Sequence, residues 1–451
     1  MFKRILFTGI TSLFFSCTGK LDIKPDQSKN IPKTVADYQA LLDNYDMVNI
    51  SIPVHGEVGA DNYYITDARY NALTTESQRN AYIWGDNIFP PNDIALDWAG
   101  SYLRISYCNL VLEGLEKLPD VADGEAYNNV KGTALFLRAY SFYTLAEVFS
   151  KPYDSATAAS DLGVPLRLTA SLETIYQRAS VKETYDQIFA DLDAALTLLP
   201  DHPLVKIRPS KTAVHALLSR IYLGLMNYER ALYHADKALA LYPDLLNYNT
   251  VEGSGQLSFE PFNKDVLFHA LLSTTGLFRI NNTSTDSVLY RQFEENDLRK
   301  TLFFEMGAGG LILFKGSYSG NAFSQFGGIA VDEIYLNRAE CYARKGDVTR
   351  AMEDLNTLLK TRWKAGTYVD MTAANPDDAL VKVLTERRKE LIFRGVRWTD
   401  LRRLNRDPRF SKIITRKVNG TVYQLLPNSP RYVFPIPEDE IRLSGIQQNV
   451  R

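Results

Sequence analysis

Residues 212–245 read TAVHALLSRIYLGLMNYERALYHADKALALYPDL. Leu218, Ser219 and Tyr222 fall at helical spacing in the first half of this stretch, and Tyr228, Ala231 and Ala238 do so in the second. Residues three, four or seven apart share one helix face, so each half predicts a helix with a buried side. Small residues on that side let two helices approach closely, and Pro243 cannot continue the second one. A helix pair is the expected unit.

The order of these residues resembles the tetratricopeptide pattern, a helix pair repeated about every 34 residues. Asp332 to Leu359 repeats it: Ala339, Tyr342, Gly346, Ala351 and Leu355 take the corresponding places, with Trp363 where Pro is expected. Upstream, Ser180 and Glu183 form a capping-box pattern, after which Val181, Tyr185, Ile188, Leu192, Ala195 and Leu199 step along one face until Pro200. Trp98, Tyr102, Ile105, Leu112 and Leu115 share an earlier stripe, and a further helix is expected from about Lys131 to Phe149. The predicted fold is mainly α, a tetratricopeptide-like scaffold with helix pairs near 98–149, 180–200, 212–245 and 332–359. No pair can bury its apolar face alone, so stacking must supply the core.

Two stretches break the pattern. Residues 246–330 hold Gly253-Ser254-Gly255, Gly307-Ala308-Gly309-Gly310 and further glycines from Gly316 to Gly328 around short apolar runs such as Leu311 to Phe314. Residues 50–97 have the same character and close near Pro90-Pro91. Loops with a few short strands are expected in both. Long inserts in repeat proteins gather on one face and carry binding, which makes these two the ligand-site candidates.

A net charge of -2 over 451 residues offers no basic surface for nucleic acid. Tyr 26 and Phe 22 against five His suit contact surfaces better than acid–base or metal chemistry. At the N-terminus, Lys3 and Arg4 precede an apolar run from Ile5 to Phe15 that is too short to span a bilayer. Phe14-Phe15-Ser16-Cys17 then resembles a bacterial lipoprotein cleavage site. Residues 1–16 therefore read as a lipoprotein signal peptide, Cys17 as the lipidated residue and 17–30 as a polar tether. Cys108 and Cys341 lie in helical patterns, where a lone Cys packs as a small hydrophobe; spacing alone leaves a disulfide between them open.

These pieces, in this order, resemble the RagB/SusD family of outer-membrane lipoproteins over nearly the whole chain. Trp98, Tyr102, Ile105 and Asn109 match its early helix, and Leu137-Arg138-Ala139-Tyr140 with Leu145 and Phe149 its next. Glu386-Arg387-Arg388-Lys389-Glu390-Leu391, followed by Arg397-Trp398-Thr399-Asp400-Leu401-Arg402-Arg403, resembles its charged segment. Pro435-Ile436-Pro437, Glu440-Ile441 and Gln448-Asn449 resemble its closing motif, while Arg394 departs where members often carry Glu. The resemblance implies a lipid-anchored outer-membrane protein facing the cell exterior. It would bind an oligosaccharide or an oligopeptide and deliver it to a SusC-type TonB-dependent transporter, with the helix pairs facing that partner or stiffening the scaffold. Read physically, Glu386, Arg387, Glu390, Arg397, Asp400 and Arg403 recur at helical and near-helical steps. They predict partly buried ion pairs tying the last helix to the repeats.

Reaction machinery is reduced to near misses. Gly316-Ser317-Tyr318-Ser319-Gly320 has Tyr where a nucleophile elbow needs Ser, and Gly307 to Gly310 lacks dinucleotide spacing and a P-loop Lys. His55, His202, His215, His234 and His269 never reach His-Glu-x-x-His spacing, and no Cys-x-x-Cys pair exists. Neither catalysis nor a cofactor is expected; a surface glycan hydrolase and a tetratricopeptide scaffold that grips a protein tail are the alternative readings. The expected site is a shallow aromatic platform of Tyr63, Tyr64, Tyr82 and Trp84, with Asp61 and Asn62 orienting the ligand and Tyr318 or Phe323 added from the second insert. For each ring, packing of the insert onto the helices competes with ligand contact. Trp98 and Trp398 are assigned to the core.

Overall fold

The computed structural model describes residues 32–118, 124–171, 173–278 and 283–451. The signal peptide, Cys17 and the tether lie outside the described residues. The longer helices are α1 (Val35–Leu42), α2 (Leu96–Glu116), α3 (Glu125–Phe149), α4 (Val181–Leu198), α5 (Lys211–Gly224), α6 (Tyr228–Leu241), α7 (Val331–Arg344), α8 (Val348–Lys360), α9 (Pro376–Glu390) and α10 (Arg397–Leu404). α3 packs on both α2 and α4, α5 on α6, α6 on α7, and α7 on both α8 and α9. The fold is mainly α-helical with short strands.

Local chemistry sets where these helices begin. The Ser180 hydroxyl accepts from the Glu183 amide while the Glu183 carboxylate accepts from the Ser180 amide, the reciprocal cap expected for α4. Ser210, Asn227, Asp347 and Asn375 cap α5, α6, α8 and α9 in the simpler way, each contributing about 1 kcal/mol. Between α5 and α6 the chain turns through Met226, which is left-handed at φ 58°. Ala213, Ala216, Ser219, Ala231, Ala235 and Ala238 are buried along this pair, as close approach requires. His215 and His234 meet there at 3.0 Å between their Nδ1 atoms. Burial lowers the pKa of each to about 4, so both are neutral packing residues at ordinary pH. Cys108 in α2 and Cys341 in α7 are buried and unbridged, and burial raises the Cys108 thiol to about 12.

The charged segment of α9 and α10 forms a buried ion-pair network. Arg299, fully buried, pairs with Asp297 at 2.7 Å, Glu386 at 2.6 Å and Glu390 at 2.9 Å. Arg387 reaches Asp400 at 2.8 Å and the Asn337 side chain of α7 at 2.6 Å, and Arg403 grips Glu340 of α7. Burial alone would raise the Asp400 carboxyl, but Arg387 and Arg403 outweigh it and hold it down at about 2. Arg397 differs from expectation. It bonds Asp61 of the first insert at 2.7 Å, so α10 is tied to that insert as well as to the helices. Arg394 pairs with Asp332 of α7 at 3.2 Å.

The inserts are joined to each other by Tyr63–Tyr64 pairing antiparallel with Ser284–Thr285 and by an isolated bridge Ile52–Leu272, while a bridge Leu271–Phe326 closes the second insert on itself. A hairpin of β1 (Ile414–Val418) and β2 (Thr421–Leu425) leans on the first insert, where the Asn419 amide donates to Asp67 at 2.9 Å. Its two-residue turn is Asn419-Gly420, with φ 48° and 83°, the left-handed pair that right-handed strand twist favours.

Candidate functional site

Three of the six aromatic residues expected at a ligand surface pack around an arginine of the hairpin. Trp84 is 1% exposed and donates its indole N–H to the Gly59 carbonyl at 2.9 Å. Tyr82 and Tyr63 are also buried, and the Tyr63 hydroxyl donates to the Val58 carbonyl at 2.8 Å. The Arg416 guanidinium lies over all three rings, 4.0 Å from Tyr82, 4.6 Å from Trp84 and 5.1 Å from Tyr63, and donates to the carbonyls of Val58, Ala60 and Tyr82. The rings form a cation-binding cage, as flat π faces favour, but the cation is internal.

The remaining platform residues divide the same way. Asn62 is buried, bonding Glu57 at 3.3 Å and Arg388 at 3.2 Å. Asp61 is enclosed by Arg397, Lys412 and Arg388. Burial opposes its ionisation, yet Arg397, Arg388 and Lys412 hold its carboxyl well below the ordinary range. Tyr318, 1% exposed, bonds Tyr248 at 2.6 Å and Asp265 at 3.1 Å beneath the Arg394 guanidinium. Asn62, Trp84 and Tyr318 are buried in packing and hydrogen bonds, away from the exposed platform expected of them, whereas Asp61, Tyr63 and Tyr82 pack inward and also line a cleft that Tyr64 shares. Tyr64 is 41% exposed and Phe323 56%. Tyr64 borders a cleft of about 390 Å³ together with Asp61, Tyr63, Tyr82, Lys412 and Arg416, so four of the expected platform residues meet at one opening.

Phe323 stands at a different cleft, of about 580 Å³, where the two inserts face each other. The first insert contributes Arg69, Ala72, Leu73, Thr74 and Gln78; the second contributes Gln256, Thr274, Gly276, Ala322 and Phe323. Thr66 and Thr75 accept from the amides of Arg69 and Gln78, starting the short helices Asp67–Asn71 and Glu76–Tyr82 that carry these two side chains. On the opposite wall, the Asn321 side chain accepts from the amides of Phe323 at 2.9 Å and Ser324 at 2.8 Å, a turn that presents the ring. The Arg69 guanidinium donates to the Gly276 carbonyl across the cleft at 2.7 Å. Arg69 Nε and Gln78 Oε1 are buried without a hydrogen-bond partner among the described residues. Sequence reading named Phe323 but missed Arg69 and Gln78. The signal was local: two Thr caps, each followed three residues on by a long polar side chain.

Residues 21–223 match a family model described as starch-binding associating with outer membrane, and residues 332–451 match the model of the SusD family. The chain belongs to the SusD/RagB family. SusD-like protein P2 of Formosa agariphila is 23% identical over 429 residues, covering 78% of this chain and 79% of that protein. A SusD superfamily protein from Bacteroides thetaiotaomicron superposes with a TM-score of 0.75 at 23% identity, over 93% of this chain and 100% of that one. A SusD superfamily protein from Bacteroides vulgatus superposes at 0.73 and 22% identity, over 93% and 99%. SusD/RagB proteins are non-catalytic, outer-membrane-associated binding proteins. Among the described residues of this SusD/RagB chain, no group of three or more His, Cys, Asp or Glu is placed to hold a metal ion, and no helix is long and apolar enough to cross a membrane.

Proposed function

We propose that this SusD/RagB protein captures an oligosaccharide in the cleft between its inserts and delivers it to a SusC-type TonB-dependent transporter. The observation that carries the reading is the cleft itself: an exposed Phe323 ring opposite hydrogen-bonding side chains of Arg69, Thr74, Gln78 and Gln256. A flat ring covers the apolar face of a sugar at small entropic cost, while side-chain amides and hydroxyls match its hydroxyl groups. In this reading Cys17 carries the lipid and the protein faces the cell exterior on the 17–30 tether. The helix pairs α5–α6 and α7–α8 act as tetratricopeptide-type units that stiffen the scaffold or meet the transporter.

Melting curves recorded with separate pools of soluble glycans and of oligopeptides test the ligand class, since a ligand selective for the native state raises the melting temperature. Glycans should shift it and peptides should not; the reverse result would replace the sugar by a peptide. Extraction of the native protein in mild detergent should also bring down a large barrel partner. Repeated recovery of the chain alone would count against the transporter role.

A further inference from the structure

We propose that the cleft between the inserts selects acidic sugars, with Arg69 receiving a carboxylate or a sulfate ester of the glycan. The inference rests on that cleft being the ligand site. Arg69 is the one charged side chain among the described residues that line it. Arg416 beside the first insert is held by carbonyls and rings, whereas Arg388 and Arg397 reach carboxylates of the inserts, Asp286 at 3.2 Å and Asp61 at 2.7 Å. Among the described residues Arg69 has no such partner. One terminal nitrogen is held by the Gly276 carbonyl at 2.7 Å, and Nε has no hydrogen bond among the described residues.

This arrangement fixes the guanidinium without neutralising it. A carbonyl accepts one hydrogen bond but carries no net charge, so the full positive charge remains in a partly enclosed cleft where water screens it less than at an open surface. An anionic oxygen entering the cleft would gain charge-assisted hydrogen bonds from a planar donor already held in position. A neutral hydroxyl in the same place would gain only an ordinary one. The opposite wall supplies the Phe323 ring and no described charge, so the ligand is distinguished by one acidic group on an otherwise neutral, ring-stacking sugar.

Titration calorimetry on the full mature chain separates the possibilities. The probes are an oligogalacturonide, its methyl ester, a sulfated galactan oligosaccharide and maltohexaose. An acidic probe should bind at least about ten-fold more tightly than the methyl ester or maltohexaose. That advantage should shrink as salt rises from about 0.05 to about 0.5 M. R69Q should remove it, while R69K should keep part of it together with its salt dependence. The uronate and sulfate arms identify which anion is preferred. Binding to neutral glycans alone, no binding to any acidic probe, or acidic binding indifferent to R69Q would overturn the inference. The cleft reading fails separately, if glycan binding survives both Phe323→Ala and R69Q unchanged.

Discussion

The two aromatic regions built from the inserts differ in where their partner comes from. The Tyr63–Tyr82–Trp84 cage is filled by Arg416 of the hairpin, from the same chain and hundreds of residues away, whereas Phe323 is 56% exposed at a cleft whose cation, Arg69, meets no carboxylate among the described residues. Both regions come from glycine- and proline-punctuated inserts rich in aromatic and polar residues. Ring density in a loop therefore marks a place that needs a partner. It does not say whether the fold already supplies one.

The largest effects should arise where that contrast is sharpest. Trp84→Ala empties the cage wall and strands the Gly59 carbonyl, and a loss of about 3 to 5 kcal/mol is expected in denaturant unfolding. Arg416→Ala should cost a similar amount, because three carbonyls each lose a charged donor and only Val58 keeps another, the Tyr63 hydroxyl, among those described. Unchanged stability in both variants would mean that the cage is not closed in solution.

A pH measurement probes the same side of the molecule. Glu57 lies beside the carbonyls of Val58 and Gly59 that hold the cage, and burial pushes its carboxyl up from 4.5 to about 7. A raised acid favours the folded state at low pH, so this contribution is full below pH 4.5 and is lost as pH rises towards 7. Glu57→Gln, which keeps the geometry without the charge, should therefore gain on the natural protein between pH ~5 and ~8 by an amount of the order of 3 kcal/mol at most. Parallel stability–pH curves for the two proteins would exclude a buried, raised Glu57.

Phe323→Ala should behave in the opposite way to Trp84→Ala. Its ring is more than half exposed, so stability should change by less than about 0.5 kcal/mol, while glycan affinity falls by about 1 to 3 kcal/mol. A stability loss with unaltered affinity would move Phe323 into the class of Trp84. The smallest effect is expected at the hairpin tip. Asn419→Ala places a Cβ-bearing residue less suited to φ 48° in the turn, costing about 1 kcal/mol, and should leave glycan binding unchanged.

How much of this was legible beforehand follows the range of the interactions. The cap at Ser180, the small residues of the α5–α6 pair and the ion-pairing of Glu386, Arg387, Glu390, Asp400 and Arg403 could be read because each signal lies within a few turns of one segment. The hairpin was equally local: Asn419-Gly420 is a strong turn signal that the sequence reading passed over, and with it went Arg416. That one arginine packs against three of the rings expected on the ligand platform.

The sequence by itself determined the family, the mainly helical scaffold and the two inserts, because helical spacing, caps and glycine punctuation act over short distances and are written directly in residue order. Only the tertiary structure decided which inserted side chains face solvent. That outcome depends on pairings such as Arg416 with Tyr82 and Arg397 with Asp61, whose partners stand more than three hundred residues apart in the chain. No local pattern encodes a long-range pairing. It is selected when buried charges and rings must each find a partner in the folded interior.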